Sequence, residues 1–178
     1  VCNLTDYLGY AQFPVSDLPG LEEYQNGLAS TDGAVFSYKV FGSADYGNFN
    51  LDPQYNKGRT ATHELGHFFG LRHIWGDKKD CTGTDYVEDT PTQKSETFNC
   101  PSHPLPESLR CFGLVPMFQN FLDYTDDVCM NLFTVQQVER MITVLESSPR
   151  RTSLLTSHGL DAPTFCGSDV ALLQVVYP

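Results

Sequence analysis

The sequence predicts an α+β fold, and three observations carry that reading. Two stretches with strand composition, residues 8–13 and 34–41, come first. Two stretches with helical character, near residues 57–69 and 134–145, come later, and the segment between them is broken by prolines. At 178 residues the chain fits a single domain with a core of its own.

From Leu8 to Phe13 the chain is apolar with one glycine and stops at Pro14, as a strand leading into a loop would. Pro14, Pro19, Gly20, Gly27 and Gly33 punctuate the next residues, where Leu21-Glu22-Glu23-Tyr24 makes at most one helical turn. Ala34 to Phe41 is rich in β-branched and aromatic residues and lies between Gly33 and Gly42, a second strand. After a loop over 42–56, a helix starts between Lys57 and Thr60 and runs to about Phe69. Between Ile74 and Gln119 neither period is visible, and Pro91, Pro101, Pro104, Pro106 and Pro116 interrupt the run. So long an irregular segment needs a brace. The final helix, Thr134 to Leu145, opens on a Thr134–Gln137 capping box. Its stripe of Val135, Val138, Met141, Ile142 and Leu145 is expected to pack on the core. Ser147-Ser148-Pro149 ends it, and a terminal strand is expected over 170–177.

The first helix carries His63-Glu64-Leu65-Gly66-His67-Phe68-Phe69-Gly70-Leu71-Arg72-His73. Residues four apart lie one turn above each other, so His63 and His67 can offer their imidazoles to one metal ion. Gly70 can adopt the left-handed conformation that ends a helix, and the turn after it can bring His73 to the same ion. Three nitrogen ligands with one open position is the catalytic form of a zinc site, whereas structural sites are closed by four protein ligands. Glu64 would flank the metal-bound water.

With 22 acidic against 11 basic side chains, the formal charge of -11 argues against nucleic-acid binding and favours cationic partners. No stretch is long and apolar enough to span a membrane as a helix. Cys2, Cys81, Cys100, Cys111, Cys129 and Cys166 form no C-x-x-C pair, so disulfides in a secreted or extracytoplasmic protein are expected. Spacing alone leaves about 15 pairings open. Val1-Cys2-Asn3-Leu4 reads as a strand already under way, so an upstream segment, with which the chain would associate, is expected.

Extended by Gly70 and His73, the histidine motif resembles that of the metzincin metallopeptidases. Ile74 follows it; Asp85-Tyr86-Val87-Glu88-Asp89-Thr90-Pro91 and Asn120-Phe121-Leu122-Asp123-Tyr124-Thr125-Asp126-Asp127-Val128-Cys129 come downstream. These resemble the pappalysin family, particularly its compact prokaryotic members, over about Ala34 to Met141. The resemblance implies an upper subdomain, 1–73, of mixed twisted sheet with the active-site helix. A lower one, 74–178, has irregular loops and a C-terminal helix. Residues 1–56 would supply only part of the upper sheet. The strand at Ala34 to Val40 would be the edge that an extended substrate pairs with.

The same resemblance implies an endopeptidase with Glu64 as general base and Tyr124 stabilising the tetrahedral intermediate. Asp127 would lie at the base of the S1' pocket and select polypeptides with Arg or Lys after the scissile bond. It also implies structural calcium at Asp85, Val87, Asp89 and Thr90, a second ion at Asp77 and Asp80, and disulfides Cys81–Cys111 and Cys100–Cys129. Cys2 and Cys166 are left to pair with each other. One departure stands out: the turn below a metzincin zinc carries methionine where this chain has Leu122, a swap costing under about 1.5 kcal/mol. Leu122 therefore keeps a second reading open, a non-catalytic zinc- and calcium-binding peptide module or proteolytic remnant, against which Glu64 weighs.

Overall fold

The computed structural model describes residues 1–103, 105–159 and 161. In chain order it has β1 (Gly9–Ala11), β2 (Ala34–Phe36), α1 (Arg59–Phe68) and α2 (Val135–Ser147), with 3-10 turns at Glu22–Tyr24, Ala29–Thr31, Glu107–Leu109 and Thr152–Thr156. This is the expected α+β class. The strand expected over 170–177, and Cys166, lie outside the described residues.

β1 and β2 pair antiparallel with Gly9 opposite Phe36, Tyr10 opposite Val35 and Ala11 opposite Ala34. Both are shorter than their composition promised. Beyond Phe36 the chain turns, with Val40 N donating to Ser37 O, which buries Val40 beneath the turn. The outer edge of β2 is taken: Cys2 N donates to Phe36 O and Tyr38 N to Cys2 O. The expectation that this strand offers the open edge is therefore corrected. Among the described residues the open edge is that of β1.

Helix α1 begins after Gly58, at φ 75, with no side-chain cap of its own. It ends as glycine chemistry predicts. Gly70 stands at φ 87, and the amide of Leu71 returns to Gly66 O at 2.9 Å. The turn points the chain back under the helix, towards His73.

Helix α2 has the expected capping box on Thr134 and Gln137, but only part of the predicted stripe faces inward, with Met141 packed on the core. Val135, Val138 and Ile142 of the apolar stripe are exposed, while Gln137, Arg140 and Val144 are buried. The reason lies in what the helix meets. Irregular backbone leaves carbonyls without ladder partners, and Arg140 donates to Gly70 O and Pro19 O at 2.9 and 2.8 Å. Gln137 exchanges two side-chain hydrogen bonds with Asn120. Hydrogen-bond demand thus shares the inward face with Val144 and Met141.

Among its described residues, the segment 74–119 holds no α-helix and no strand. Cystines Cys81–Cys111 and Cys100–Cys129 brace it. A buried cluster of Leu71, Ile74, Trp75 and Leu122, flanked by Met117, Phe121, Phe133 and Met141, joins it to α1. Asp123, fully buried, adds a polar tie by accepting from Gln93 Nε2 (2.9 Å) and the amides of Thr97 (2.7 Å) and Tyr124 (2.8 Å). After α2, buried Arg151 grips both oxygens of Asp32, donates to Phe68 O and stacks 3.4 Å over the Phe68 ring. That arginine fastens the segment after α2 to the C-terminus of α1. No helix among the described residues is long and apolar enough to cross a membrane.

Candidate active site

His63 and His67 lie one turn apart on α1, and the Gly70 turn brings in His73. Nε2 of His67 is 3.1 Å from Nε2 of His63 and 3.1 Å from Nε2 of His73. Each ring's other nitrogen has an acceptor: Phe121 O at 2.7 Å from His63 Nδ1, Leu71 O at 2.8 Å from His67 Nδ1, and Asp77 Oδ1 at 2.5 Å from His73 Nδ1. Carbonyl and carboxylate oxygens can only accept, so each ring carries a proton on Nδ1, and Nε2 is the nitrogen that can turn a lone pair towards the other two. Lone pairs so placed repel unless a cation lies between them. Tetrahedral bonds of about 2.0–2.1 Å set neighbouring nitrogens about 3.3 Å apart, close to the spacing found. Burial, then the neighbouring His67 and His73, holds His63 well below the ordinary imidazole range. Burial and His73 bring His67 to about 3. Both rings are neutral at physiological pH, the form in which an imidazole can bind a metal.

Glu64, only 7% exposed, lies beside this triad, and burial pushes its carboxyl up to about 7. Among the described residues no donor engages the carboxylate. The open edge of β1 passes over it, and a cleft of about 480 Å³ runs between that edge and the turn 123–127. Tyr124 stands at the floor of the cleft with its ring centroid 4.9 Å from His73 and 5.6 Å from His63. Burial, then the charges of Asp77 and Glu64, raises its hydroxyl to about 12, so it stays a hydrogen-bond donor. Leu122 is fully buried beneath α1, and a Cβ at Gly66 would meet its Cδ2 at 2.9 Å. Leucine thus fills the floor below the triad by direct packing on the helix.

Asp127 also lines the cleft, 2% exposed. Its Oδ2 accepts from the amides of Lys57 and Arg59. Burial raises its carboxyl, against the pull of those amides and of the Arg59 charge. The 85–90 loop is a separate place. Asp85 accepts from Val87 N (3.2 Å) and Thr90 Oγ1 (2.7 Å), and Asp89 Oδ2 accepts from Gln136 N (3.0 Å) while its Oδ1 is buried without a partner. Burial, opposed by the Thr90 and Val87 hydrogen bonds, raises Asp85 to about 6. Among the described residues the three histidines are the one group of metal-ligating His, Cys, Asp or Glu side chains close enough to share an ion. Asp77 lies on His73 and Arg72, and Asp80 is occupied with Thr82.

The family model for Peptidase M43, described as Pregnancy-associated plasma protein-A, matches residues 34–146. The chain belongs to the pappalysin family. An extracellular metalloprotease of Arthroderma benhamiae is 45% identical over 87 residues, 49% of this chain and 31% of its own length. That of Sordaria macrospora is 37% identical over 142 residues, 78% of this chain and 44% of its own length. Mature mirolysin of Tannerella forsythia, solved with a cleaved peptide, superposes with a TM-score of 0.68 at 45% identity, covering 86% of this chain and 53% of mirolysin. A promirolysin variant gives 0.70 at 45% identity, covering 86% and 47%. The chain thus spans less than half the length of the two curated relatives and about half of the two solved structures.

Two roles that matter to this pappalysin site escape the sequence reading. Asp77, four residues after His73 and at φ 58, holds the third imidazole instead of a second ion. Its signal is the Gly76-Asp77 turn closing back on the histidine. Gly9 roofs Glu64, a contact that no local pattern announces.

Proposed function

We propose that residues 1–178 form one catalytic domain, upper 1–73 and lower 74–178, of a secreted, zinc-dependent endopeptidase. The supporting observation is the convergence of three imidazoles beside a buried, unpartnered glutamate at the bottom of an open cleft. His63, His67 and His73 would hold the zinc, which when bound polarises a peptide carbonyl and lowers the pKa of water to about 7. Glu64 accepts a proton from the attacking water and delivers it to the leaving amine, a task suited to a carboxyl with its pKa near 7. The Tyr124 hydroxyl donates to the carbonyl oxygen as charge develops on it. An extended peptide lies along β1. Ser37 N bonds to Leu8 O and Gln12 N to Gly33 O, so the alternating antiparallel pattern turns the main-chain groups of Gly9 and Ala11 away from β2, to the open edge.

Asp127 selects arginine or lysine after the scissile bond. Support for this is a buried carboxylate on the cleft wall whose Oδ1 has no hydrogen-bond donor among the described residues. A calcium ion is proposed for the 85–90 loop, where Asp89 Oδ1 is buried and unpartnered and Asp85, Val87 and Thr90 offer further oxygens. Secretion accords with the two cystines and with relatives named extracellular metalloproteases. Cleavage of a peptide library with and without a zinc chelator tests the proposal. Chelator-sensitive cuts before Arg or Lys are expected, and chelator-resistant or absent cleavage would overturn it.

A further inference from the structure

β1 and Glu64 touch at Gly9. This residue is within a strand and its φ is not left-handed, so its backbone does not require glycine. What glycine supplies is room. A Cβ there would stand 2.8 Å from Glu64 Cγ, 3.0 Å from Glu64 Oε1 and 2.9 Å from Val35 O. Carbon atoms in contact keep about 3.5–4.0 Å, so an alanine could not sit there with the glutamate unmoved. Glycine inside a strand often marks such a close approach.

The glutamate has little else to hold it. The residue is 7% exposed and no donor among the described residues engages its carboxylate, so packing is what fixes where it points. The surface above it is main chain, pinned on either side by the hydrogen bonds of Leu8 O and Gln12 N to β2. We propose that Gly9 is the positioning residue for Glu64. Its bare Cα lets the carboxylate lie directly under the strand whose open edge receives the peptide. The inference rests on the reading of Glu64 as the base. One residue thereby sets the distance between the base and the peptide: its main-chain groups face the cleft, and its missing side chain leaves space for the carboxylate.

The test is a double-mutant cycle on the 178-residue chain with zinc added: Gly9→Ala, Glu64→Ala and both together. Gly9→Ala should lower kcat by about 10²-fold, the cost of misplacing a catalytic group by about 1 Å, with KM and zinc affinity little changed. Its loss of thermal stability should shrink in the Glu64→Ala background, where only the Val35 carbonyl remains in the way. Equal stability losses in both backgrounds, an unchanged kcat, or a loss confined to KM would overturn the proposal. Absence of zinc-dependent cleavage by the unsubstituted chain would refute the endopeptidase reading instead, and the stability cycle would still decide the Gly9–Glu64 contact.

Discussion

Asp127 caps the helix that begins at Arg59. Its Oδ2 accepts from the Arg59 amide at 3.1 Å and the Lys57 amide at 2.8 Å, across 68 and 70 residues of sequence. Gly58 offers no side-chain cap, so a carboxylate from the lower turn satisfies the first amide of the helix that carries His63, Glu64 and His67, and that of Lys57 just before it. The residue proposed to read the substrate thus also anchors the metal-binding helix.

Two substitutions separate those roles. Asp127→Ala should cost about 1–2 kcal/mol of stability, as the loss of a cap does, and should abolish the preference for Arg or Lys at P1'. Asp127→Asn keeps an acceptor for the two amides and removes the charge, so it should stay close to the parent in stability while losing the preference. Unfolding midpoints and a peptide-library profile check both. An Asn variant that still prefers basic residues would remove Asp127 from specificity.

Asp77 gives the third histidine its orientation. A carboxylate hydrogen-bonded to a ligand imidazole supports metal affinity by about 10–100-fold, so Asp77→Ala should weaken zinc binding by that factor in a chelator competition. Asp77 also binds Arg72, which in turn reaches Gly20 O and Glu23. Arg72→Ala should therefore weaken zinc less than Asp77→Ala, because it leaves the His73 contact in place.

Asp85 links the lower loops to pH. Its folded pKa of about 6 lies above the ordinary aspartate value of 3.8, so the folded chain holds that proton more tightly than the unfolded chain. Its contribution to stability is complete below the unfolded value and is lost as pH rises through about 6. Comparing the parent with Asp85→Asn between pH 4 and 7 isolates this share, and millimolar calcium should remove it by stabilising the ionised carboxylate. A calcium-independent difference would count against an ion in the 85–90 loop.

The Asp32–Arg151 pair behaves in the opposite sense. Burial works against the Asp32 charge, yet the Arg151 and Arg150 guanidiniums hold its carboxyl below the usual range. Its stabilisation is present above the unfolded pKa and fails as pH falls through the lower folded value. Asp32→Ala leaves Arg151 buried without its partner and should cost about 3–5 kcal/mol, read by denaturant unfolding.

Local chemistry made the helix ends legible from sequence: Gly70 ends α1 and the Thr134–Gln137 box starts α2, because each depends on residues within a few positions. The three-histidine cluster was legible for the same reason, since helical spacing and one glycine turn bring it together. What needed coordinates was the partner of each face. Periodicity located the Val135–Ile142 stripe but not its direction, because the surface opposite holds backbone carbonyls that call for Arg140 and the Asn120 side chain that pairs with Gln137. Strand composition found Ala34–Phe36 but not that Cys2 covers its far edge, which leaves β1 as the rim of the cleft.

The most direct measurement of the central claim pairs zinc binding with peptide turnover in Glu64→Gln. Glutamine keeps the volume beneath Gly9 and removes the proton acceptor. The expected result is zinc retained at the parent's stoichiometry with kcat lower by about 10²–10⁴-fold, the usual contribution of general acid–base catalysis. Parent-like turnover by the zinc-loaded variant would contradict the assignment of Glu64 and, with it, the mechanism proposed for this chain.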